Sequence, residues 1–429
     1  MLKPGNRFAA IVAATISLIA SAPRASAQTP NVVIQWNQML QMQFVGTGPG
    51  IHLRSSPMMH IAMFDAINSI EDRYTPYLGE VKASHGASAE AAAAAAARDV
   101  LTALYPAQQA AFDALLASQL AGMPPGRARQ GVAIGKASAK AVLDWRQNDG
   151  WPATQAAVTT PDPTYVLPPF PGLWQPTPPA NSFATFTFYP HVVPFAMLTA
   201  TQFLPPPPPT LISAHYAADF NEVKTLGSVN SVVRTPEETL WAQVHAGVNT
   251  QIGFFHVWNR VAGDVAERMG LSLIDTARTF VLMTVAIHDG LQTSFTSKFA
   301  YGLWRPVTAI RRADEDLNPA TAQDAGWTPL VNTPTYPAYA GNAACLSAAS
   351  ARALQIAFGR DDIPFTVTYP RTGGLPTETR NYTGFSDLAQ QEARSRVLAG
   401  LHYTFDNDAS RTFCPKVPEF AAEHWMLPR

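Results

Sequence analysis

Two basic segments in the C-terminal third stand out in this chain of 429 residues. The first is Lys298-Phe-Ala-Tyr-Gly-Leu-Trp304-Arg305-Pro306, in which two cations lie seven positions apart. The second is Ser395-Arg396-Val-Leu-Ala-Gly400-Leu401-His402, which carries an arginine and a histidine six positions apart. Taken singly, each of these residues would more often be solvated or structural. Together they predict a pocket for a multiply charged oxyanion, because a guanidinium fork matches phosphate-like oxygens and a lysine adds a point charge.

Three flanking stretches extend the pattern: Trp304-Arg305-Pro306-Val307-Thr308-Ala309-Ile310, Trp327-Thr-Pro-Leu-Val-Asn-Thr-Pro and His402-Tyr-Thr-Phe-Asp-Asn. With the basic segments, they resemble the vanadium-dependent haloperoxidase and type 2 phosphatidic acid phosphatase superfamily, in its soluble bacterial haloperoxidase-like branch. The resemblance implies that Lys298, Arg305 and Arg396 hold vanadate or phosphate. It also implies that His402 binds vanadium or attacks phosphorus.

The middle motif of that family, roughly Pro-Glu-Tyr-Pro-Ser-Gly-His, is altered in this chain. The corresponding residues are Pro337-Ala-Tyr-Ala-Gly341-Asn342-Ala343-Ala-Cys345, and no histidine lies between His288 and His402. The family's histidine falls on Ala343 without a gap, or on Asn342 with a gap of one residue. In the family this histidine is the acid-base group, and losing such a group typically costs about 10²–10⁴-fold in rate.

A helix over residues 341–358 is expected to begin at the same site. Its free backbone N–H groups at Gly341, Asn342 and Ala343, together with the positive end of its dipole, would then point at the anion. These backbone donors require neither the serine nor the histidine of the family motif. The Asn342 amide could add a donor, but it cannot transfer a proton at neutral pH.

The N-terminal 27 residues have the features of a secretory signal peptide. Lys3 and Arg7 precede an apolar run over residues 8–20, and Ala25-Ser26-Ala27 forms a small-residue cleavage site. We expect a mature chain that begins at Gln28 and is exported to a periplasm or the extracellular space; the alternative is an uncleaved anchor. No transmembrane segment is predicted in the mature chain, because charged residues bracket the apolar run 280–288.

The composition excludes some classes of partner. Hydrophobic residues make up 47% of the chain and charged residues 14%, so nothing indicates binding to nucleic acid or to an acidic membrane surface. The two cysteines, Cys345 and Cys414, could pair in an exported protein or remain buried thiols. No paired-cysteine metal motif and no glycine-rich phosphate loop is present.

Helical periodicity dominates and strand patterns are rare, which predicts an all-α protein. The resemblance implies two helical bundles. After the signal peptide 1–27, we expect an N-terminal helical region (28–150), a proline-rich connector (151–234) and a C-terminal bundle with the oxyanion site (235–429). Residues 366–383 are predicted to form a polar loop. His60 and Asp65 are expected to serve packing and intra-helix hydrogen bonds. His288 and Asp289 are expected to have a supporting hydrogen-bond role. Helices are predicted over residues 31–45, 56–68 (with Pro57 in the first turn), 88–105, 107–121, 125–148, 272–291, 341–358 and 385–402. Residues 235–269 are predicted to form one long helix or two.

Three functions are compatible with this pattern. The first is an exported haloperoxidase-like enzyme, in which vanadate is the cofactor and hydrogen peroxide and halide are the substrates, with activity impaired by the missing histidine. The second is an acid phosphatase that cleaves a phosphate ester with His402 as nucleophile. The third is a catalytically inactive homologue that only binds an oxyanion. The four residues Lys298, Arg305, Arg396 and His402 favour the first.

Overall fold

A computed structural model describes residues 31–43, 50, 52–82 and 86–429, so the predicted signal peptide lies outside the described residues. Two strands, β1 (Phe365–Tyr369) and β2 (Glu378–Tyr382), pair in an antiparallel hairpin. All other regular structure in the described ranges is helical. The α-helices are α1 Val32–Met42, α2 His52–Glu71, α3 Ala89–Leu104, α4 Gln109–Leu120, α5 Pro125–Trp145, α6 Gln155–Thr159, α7 Ala214–Leu226, α8 Pro236–His245, α9 Phe254–Arg268, α10 Leu273–Tyr301, α11 Pro306–Arg311, α12 Asn342–Phe358, α13 Phe385–Leu398, α14 Thr404–Phe413 and α15 Lys416–His424.

The all-α prediction is confirmed, and several helices begin where local capping rules place them. The Ser88 side chain accepts a hydrogen bond from the Ala91 N–H at the start of α3. Thr235 forms a capping box with Glu238 ahead of α8, with Pro236 at the first helical position. Such side chains satisfy backbone N–H groups that have no partner within the helix.

The N-terminal helices pack closely because their facing residues are small. α3 contains the run of seven alanines from Ala91 to Ala97, all fully buried, and it packs against α2 and α5. Gly135 of α5 lies so near α3 that an added Cβ would collide with the Ala92 carbonyl oxygen. Small side chains on both helices therefore allow their backbones to approach.

The long helix α10 joins the N-terminal helices to the C-terminal ones. It packs against α2 on one side and against α12 and α15 on the other, and residues Phe280 to Ile287 are completely buried. In the C-terminal group, α12 also packs against α13 and α14. Cys345 and Cys414 form a disulfide, which decides between the two alternatives left open by the sequence. No helix among the described residues has the length and apolarity needed to cross a membrane.

The predicted connector contains two helices, α6 and α7, that its proline content did not indicate. α7 lies within residues 151–234, and its Tyr216 and Asp219 contact the segment that follows His402. The chain before α7 is held against α10, since the Asp289 carboxylate accepts hydrogen bonds from the backbone N–H groups of residues 195–197. Asp289 also contacts His288, so the structural role predicted for this pair is confirmed.

Two predictions of local structure are wrong. Residues 366–383 include most of the β1–β2 hairpin, because Phe365, Val367 and Tyr369 alternate onto one buried face. Pro57 lies inside α2 and not in its first turn, since the helix begins four residues earlier than expected.

The packing role predicted for His60 of α2 is confirmed, whereas the intra-helix hydrogen bonds predicted for Asp65 are wrong. His60 is buried and stacks on Phe280 with ring centroids 4.8 Å apart. The Asp65 carboxylate accepts hydrogen bonds from the backbone N–H groups of Tyr77 and Leu78, so its partners come from the loop after α2 and not from within the helix.

Candidate functional site

The first basic segment places two cations at successive helix boundaries. Lys298 lies in the last turn of α10, which ends at Gly302 with a left-handed conformation (φ +59°). Its buried Nζ donates to the carbonyl oxygens of Pro337 (3.1 Å) and Ala338 (2.7 Å). Arg305 is the residue immediately before α11 and is completely buried. The polypeptide from α10 to α11 therefore carries both cations into the same interior region.

Arg305 connects the two basic segments. Its Nε donates to the Tyr336 carbonyl oxygen at 2.7 Å, and one terminal nitrogen donates to the Leu401 carbonyl oxygen at 2.9 Å. The same terminal nitrogen lies 3.0 Å from Nε2 of His402. The other terminal nitrogen is buried and has no hydrogen-bond partner among the described residues.

His402 is held in one orientation by a carboxylate. It follows Gly400, whose φ of +79° turns the chain after α13, a conformation that glycine adopts without steric cost. Nδ1 of His402 lies 2.8 Å from Oδ2 of Asp406, and that oxygen also accepts from the Tyr403 N–H. Because the Arg305 guanidinium can only donate, Nε2 is the acceptor and Nδ1 carries the proton. The Nε2 lone pair therefore faces the cations.

Arg396 supplies further unused donors. It lies in the last turn of α13, 7% exposed, with its guanidinium carbon 5.6 Å from the centre of the Phe254 ring. Its Nε and one terminal nitrogen are buried and have no hydrogen-bond partner among the described residues. A buried donor without a partner is costly, so these groups could hold an acceptor that does not belong to the described residues.

The predicted donors at the start of α12 are partly used within the protein. The Gly341 N–H donates to the Asp406 carbonyl oxygen at 3.0 Å, so Gly341 does not present the free N–H expected of it. The helix begins at Asn342, whose side-chain amide donates to the Tyr336 hydroxyl at 3.2 Å. Ala343 follows, with its small side chain on a cavity shared with Tyr336 and Arg396. Of the three backbone N–H groups predicted to face the anion, only those of Asn342 and Ala343 can therefore be free.

The electrostatics of the site are dominated by buried positive charge. Burial and the neighbouring Arg305 hold the pKa of Lys298 well below its usual value. Burial lowers the pKa of both Arg305 and Arg396 to about 10. Burial, together with these three cations, also keeps the pKa of His402 well below its ordinary range, so its imidazole is neutral. An anion would offset this charge, because buried cations are stable only when they are paired.

Two contributors to the site were not recognised from the sequence. Tyr336 provides a carbonyl acceptor for Arg305, and its ring centre lies 5.0 Å from the Arg305 guanidinium and 5.4 Å from the Lys298 ammonium. Asp406 orients His402, and burial raises its pKa to about 7. The His402-x3-Asp406 spacing could have indicated Asp406, whereas nothing local indicates Tyr336. No cluster of three or more His, Cys, Asp or Glu side chains in the described ranges could hold a metal ion.

The fold is that of the all-helical vanadium haloperoxidases. The chain is similar to the first bacterial vanadium-dependent iodoperoxidase solved, with a TM-score of 0.72 and 22% identity over 92% of this chain and 95% of that chain. It is also similar to a bacterial vanadium-dependent chloroperoxidase. The holo form gives a TM-score of 0.67 and 17% identity over 87% of this chain and 91% of that chain. The apo form gives 0.69 and 16% over 87% and 92%.

Sequence comparison finds a match over the C-terminal part of the chain. Residues 278–427 match the family model of the VCPO second helical-bundle domain, a range that includes all the candidate site residues. No curated protein sequence matches the chain. The family match and the shared fold support the vanadium haloperoxidase and type 2 phosphatidic acid phosphatase superfamily.

Proposed function

We propose that this protein binds vanadate and oxidises halide with hydrogen peroxide, with Lys298, Arg305, Arg396 and His402 as the site. The observation that carries the proposal is the set of three buried guanidinium nitrogens on Arg305 and Arg396 that have no partner among the described residues. They belong to the same buried region as the His402 lone pair. Planar N–H donors of this kind match the oxygens of a tetrahedral oxyanion.

The residues fit vanadate in charge and in donor type. His402 would bind vanadium through Nε2, because the contact with Asp406 keeps the imidazole proton on Nδ1. Lys298, Arg305, Arg396 and the N–H groups of Asn342 and Ala343 would hold the oxygens. Bound vanadate would supply the Lewis-acidic centre at which peroxide becomes an oxidant for halide. The cations would offset the negative charge of the bound group, and the Tyr336 ring beside Lys298 and Arg305 would limit their contact with water.

The proposed enzyme lacks a positioned acid-base residue in the middle motif. Asn342 and Ala343 occupy the first turn of α12, and neither transfers protons at neutral pH. We therefore propose turnover about 10²–10⁴-fold below that of an otherwise equal site with a general acid. Introducing the imidazole through Ala343→His or Asn342→His should raise turnover in the variant whose register matches the family motif.

Phosphate-ester hydrolysis is a second candidate because of the His402–Asp406 contact. A neutral imidazole whose unprotonated Nε2 accepts from Arg305, and whose Nδ1 is held by a carboxylate, could also attack phosphorus and form a phosphohistidine. The missing general acid affects this reaction more strongly, since a leaving alkoxide needs a proton. A site that binds oxyanions without catalysis is the third outcome to be tested.

The test is a calorimetric titration of the chain from Gln28 onward with orthovanadate, with bromide oxidation by peroxide assayed on the same samples. His402→Ala should abolish tight vanadate binding, whereas the exposed His424→Ala should bind as the wild type does. Binding with halide oxidation supports the haloperoxidase. Binding without turnover, restored by a histidine at position 342 or 343, supports a retained pocket without its acid-base group. Absence of both vanadate and phosphate binding would contradict all three functions.

We also propose that the protein is exported, on the basis of the signal peptide predicted for residues 1–27. Mass spectrometry of the protein recovered from the periplasm or medium should give a chain that begins at Gln28. A chain that retains residues 1–27 in the membrane fraction would instead indicate the uncleaved anchor.

A further inference from the structure

The hydroxyl of Tyr336 carries a hydrogen that no group in the described part of the chain accepts. Tyr336 is 9% exposed, and its hydroxyl oxygen accepts from the Asn342 side-chain amide at 3.2 Å. An amide N–H can only donate, so the hydrogen of the phenol itself remains available. Because a buried donor without an acceptor costs free energy, this hydrogen indicates a ligand.

The Tyr336 side chain lies among the cations of the candidate site. Its backbone carbonyl oxygen accepts from Arg305 Nε at 2.7 Å. Its ring centre is 5.0 Å from the Arg305 guanidinium and 5.4 Å from the Lys298 ammonium. It also lines one cavity together with Arg396 and Ala343. A ligand held by these cations would therefore lie within reach of the phenol.

The charge around the hydroxyl indicates that its acceptor is an anion. Burial lowers the pKa of both Arg305 and Arg396, and the Tyr336 phenol is the neighbour that opposes this shift most strongly. The phenol is therefore close to both guanidinium groups. None of the residues that line the shared cavity is Asp or Glu. An acceptor at this place must come from a ligand, and a ligand beside buried cations is stabilised when it carries negative charge.

Asn342 fixes the position of this hydroxyl. It is the first residue of α12, and its side chain reaches back to Tyr336, six residues earlier in the chain. The histidine of the family motif falls on position 342 or 343. Here Asn342 uses that place to hold another side chain, and Ala343 presents only a methyl group to the cavity. The phenol therefore has room to reach the oxyanion.

We propose that the Tyr336 hydroxyl donates a hydrogen bond directly to an oxygen of the bound oxyanion, with Asn342 as its positioning residue. This assignment rests on the proposed function and adds a side-chain donor to the same site. A phenol keeps its proton at neutral pH and is a far weaker acid than an imidazolium. Tyr336 therefore contributes to oxyanion affinity and does not replace the proton transfer of the missing histidine.

The first test compares Tyr336→Phe with the wild type by calorimetric titration of orthovanadate and, separately, of orthophosphate. Phenylalanine keeps the ring and removes only the hydroxyl. Binding of both anions should weaken about 10–100-fold, the range expected for a hydrogen bond to a charged group. Tyr301→Phe is the matched control, because it removes a hydroxyl that donates to the Pro205 carbonyl oxygen and is not part of the proposed site. It should bind both anions as the wild type does.

A spectroscopic readout distinguishes a direct hydrogen bond from a change in packing. Orthophosphate is transparent in the near ultraviolet, and a phenol that begins to donate to an anion shifts its absorption to longer wavelength. We expect saturating orthophosphate to produce this shift in the wild type and in Tyr301→Phe, but not in Tyr336→Phe. Asn342→Ala keeps the hydroxyl without its positioning contact and should retain an intermediate affinity. Thermal melting without anion checks that each variant is folded.

The possible outcomes separate this assignment from the proposed function. Wild-type affinity and an unchanged difference spectrum in Tyr336→Phe would overturn the assignment, while the proposed function would stand. An equal loss of affinity in Tyr336→Phe and Tyr301→Phe would assign the effect to packing and would also overturn it. Wild-type affinity in Asn342→Ala would overturn the positioning role of Asn342. A wild type that binds neither anion would overturn both the assignment and the proposed function.

Discussion

At the scale of single residues, the orientation of His402 depends on Asp406. The carboxylate accepts from Nδ1 of His402, and its position is set by the Tyr403 N–H, which is bound to the same oxygen. A group that holds an imidazole ligand fixes both its tautomer and its ring orientation. Asp406 is therefore a positioning residue, and its contribution should be measurable as oxyanion affinity.

We expect Asp406→Asn to weaken orthovanadate binding by about 10–100-fold, because the amide no longer provides the charge that holds the Nδ1 proton. Calorimetric titration measures the affinity. Asp408→Asn, at an exposed position of the same helix, is the matched control and should bind as the wild type does. Equal affinity of Asp406→Asn and the wild type would show that this carboxylate does not contribute to oxyanion binding.

A second residue-scale prediction concerns Glu392, a completely buried carboxyl on α13. One of its oxygens accepts from Trp258 Nε1 at 2.9 Å and contacts Ser347 Oγ. The Ser347 hydroxyl has one proton and also bonds the Ala343 carbonyl oxygen at 2.9 Å. Ser347 cannot donate its single proton fully to both acceptors, and a protonated Glu392 that donates to Ser347 satisfies both contacts. Burial correspondingly raises the pKa of Glu392 to about 8.

Glu392 should therefore make the protein less stable as the pH rises. Between its ordinary value of 4.5 and about 8 the folded state holds this proton and the unfolded state does not. The free energy of unfolding should fall by up to about 1.4 kcal/mol per pH unit through this window. Glu392→Gln mimics the protonated acid and should lose this dependence. Denaturant unfolding from pH 5 to 8 measures the difference between the two proteins, and the exposed Glu423→Gln should follow the wild type.

At the scale of elements, the packing of α5 on α3 requires glycine at one position. A Cβ at Gly135 would meet backbone atoms of Ala92 and Ala96, which cannot move without displacing α3. We expect Gly135→Ala to lower the free energy of unfolding by about 1–3 kcal/mol through overpacking. Gly126→Ala is the control in the same helix, where an added Cβ meets nothing within 4 Å, and it should be neutral or slightly stabilising.

Denaturant unfolding of these two variants compares the same substitution in one helix. If Gly135→Ala proves as stable as the control, the small residues between α3 and α5 do not set the distance between the helices. The alanine run would then reflect helix propensity alone.

At the scale of the whole molecule, the buried cations should link stability to anion binding. An oxyanion that binds only the folded state at about 100 times its dissociation constant stabilises by about 2.7 kcal/mol. We therefore expect orthovanadate to raise the melting temperature of the wild type by several degrees. Lys298→Met should lose most of this rise, whereas Lys140→Met, at an exposed residue, should retain it. Equal rises in the two variants would show that the anion binds elsewhere.

Local rules accounted for much of the helical framework. Ser88, Thr235 and Ser272 cap the helices that they were expected to begin, because a capping side chain and the N–H that it satisfies are only three residues apart. Lys298 lies in the last turn of α10 and Arg305 just beyond that helix, which continues ten residues past its predicted end at residue 291. Local sequence patterns did not predict α7 or the β1–β2 hairpin. In both, burial against distant residues outweighed the proline-rich and polar composition.

By itself, the sequence determined that the chain is all-α and which four basic side chains to consider together, because helical periodicity and motif spacing are properties of neighbouring residues. Only the tertiary structure decided how those side chains are used. The Tyr336 carbonyl oxygen accepts from Arg305, and the Asp406 carboxylate accepts from His402. The Asp406 carbonyl oxygen also accepts from the Gly341 N–H. The pairing of Cys345 with Cys414, and the cavity lined by Tyr336, Ala343 and Arg396, likewise join residues far apart in the chain. Whether a buried donor is free or satisfied depends on such distant partners, which spacing along the chain does not encode.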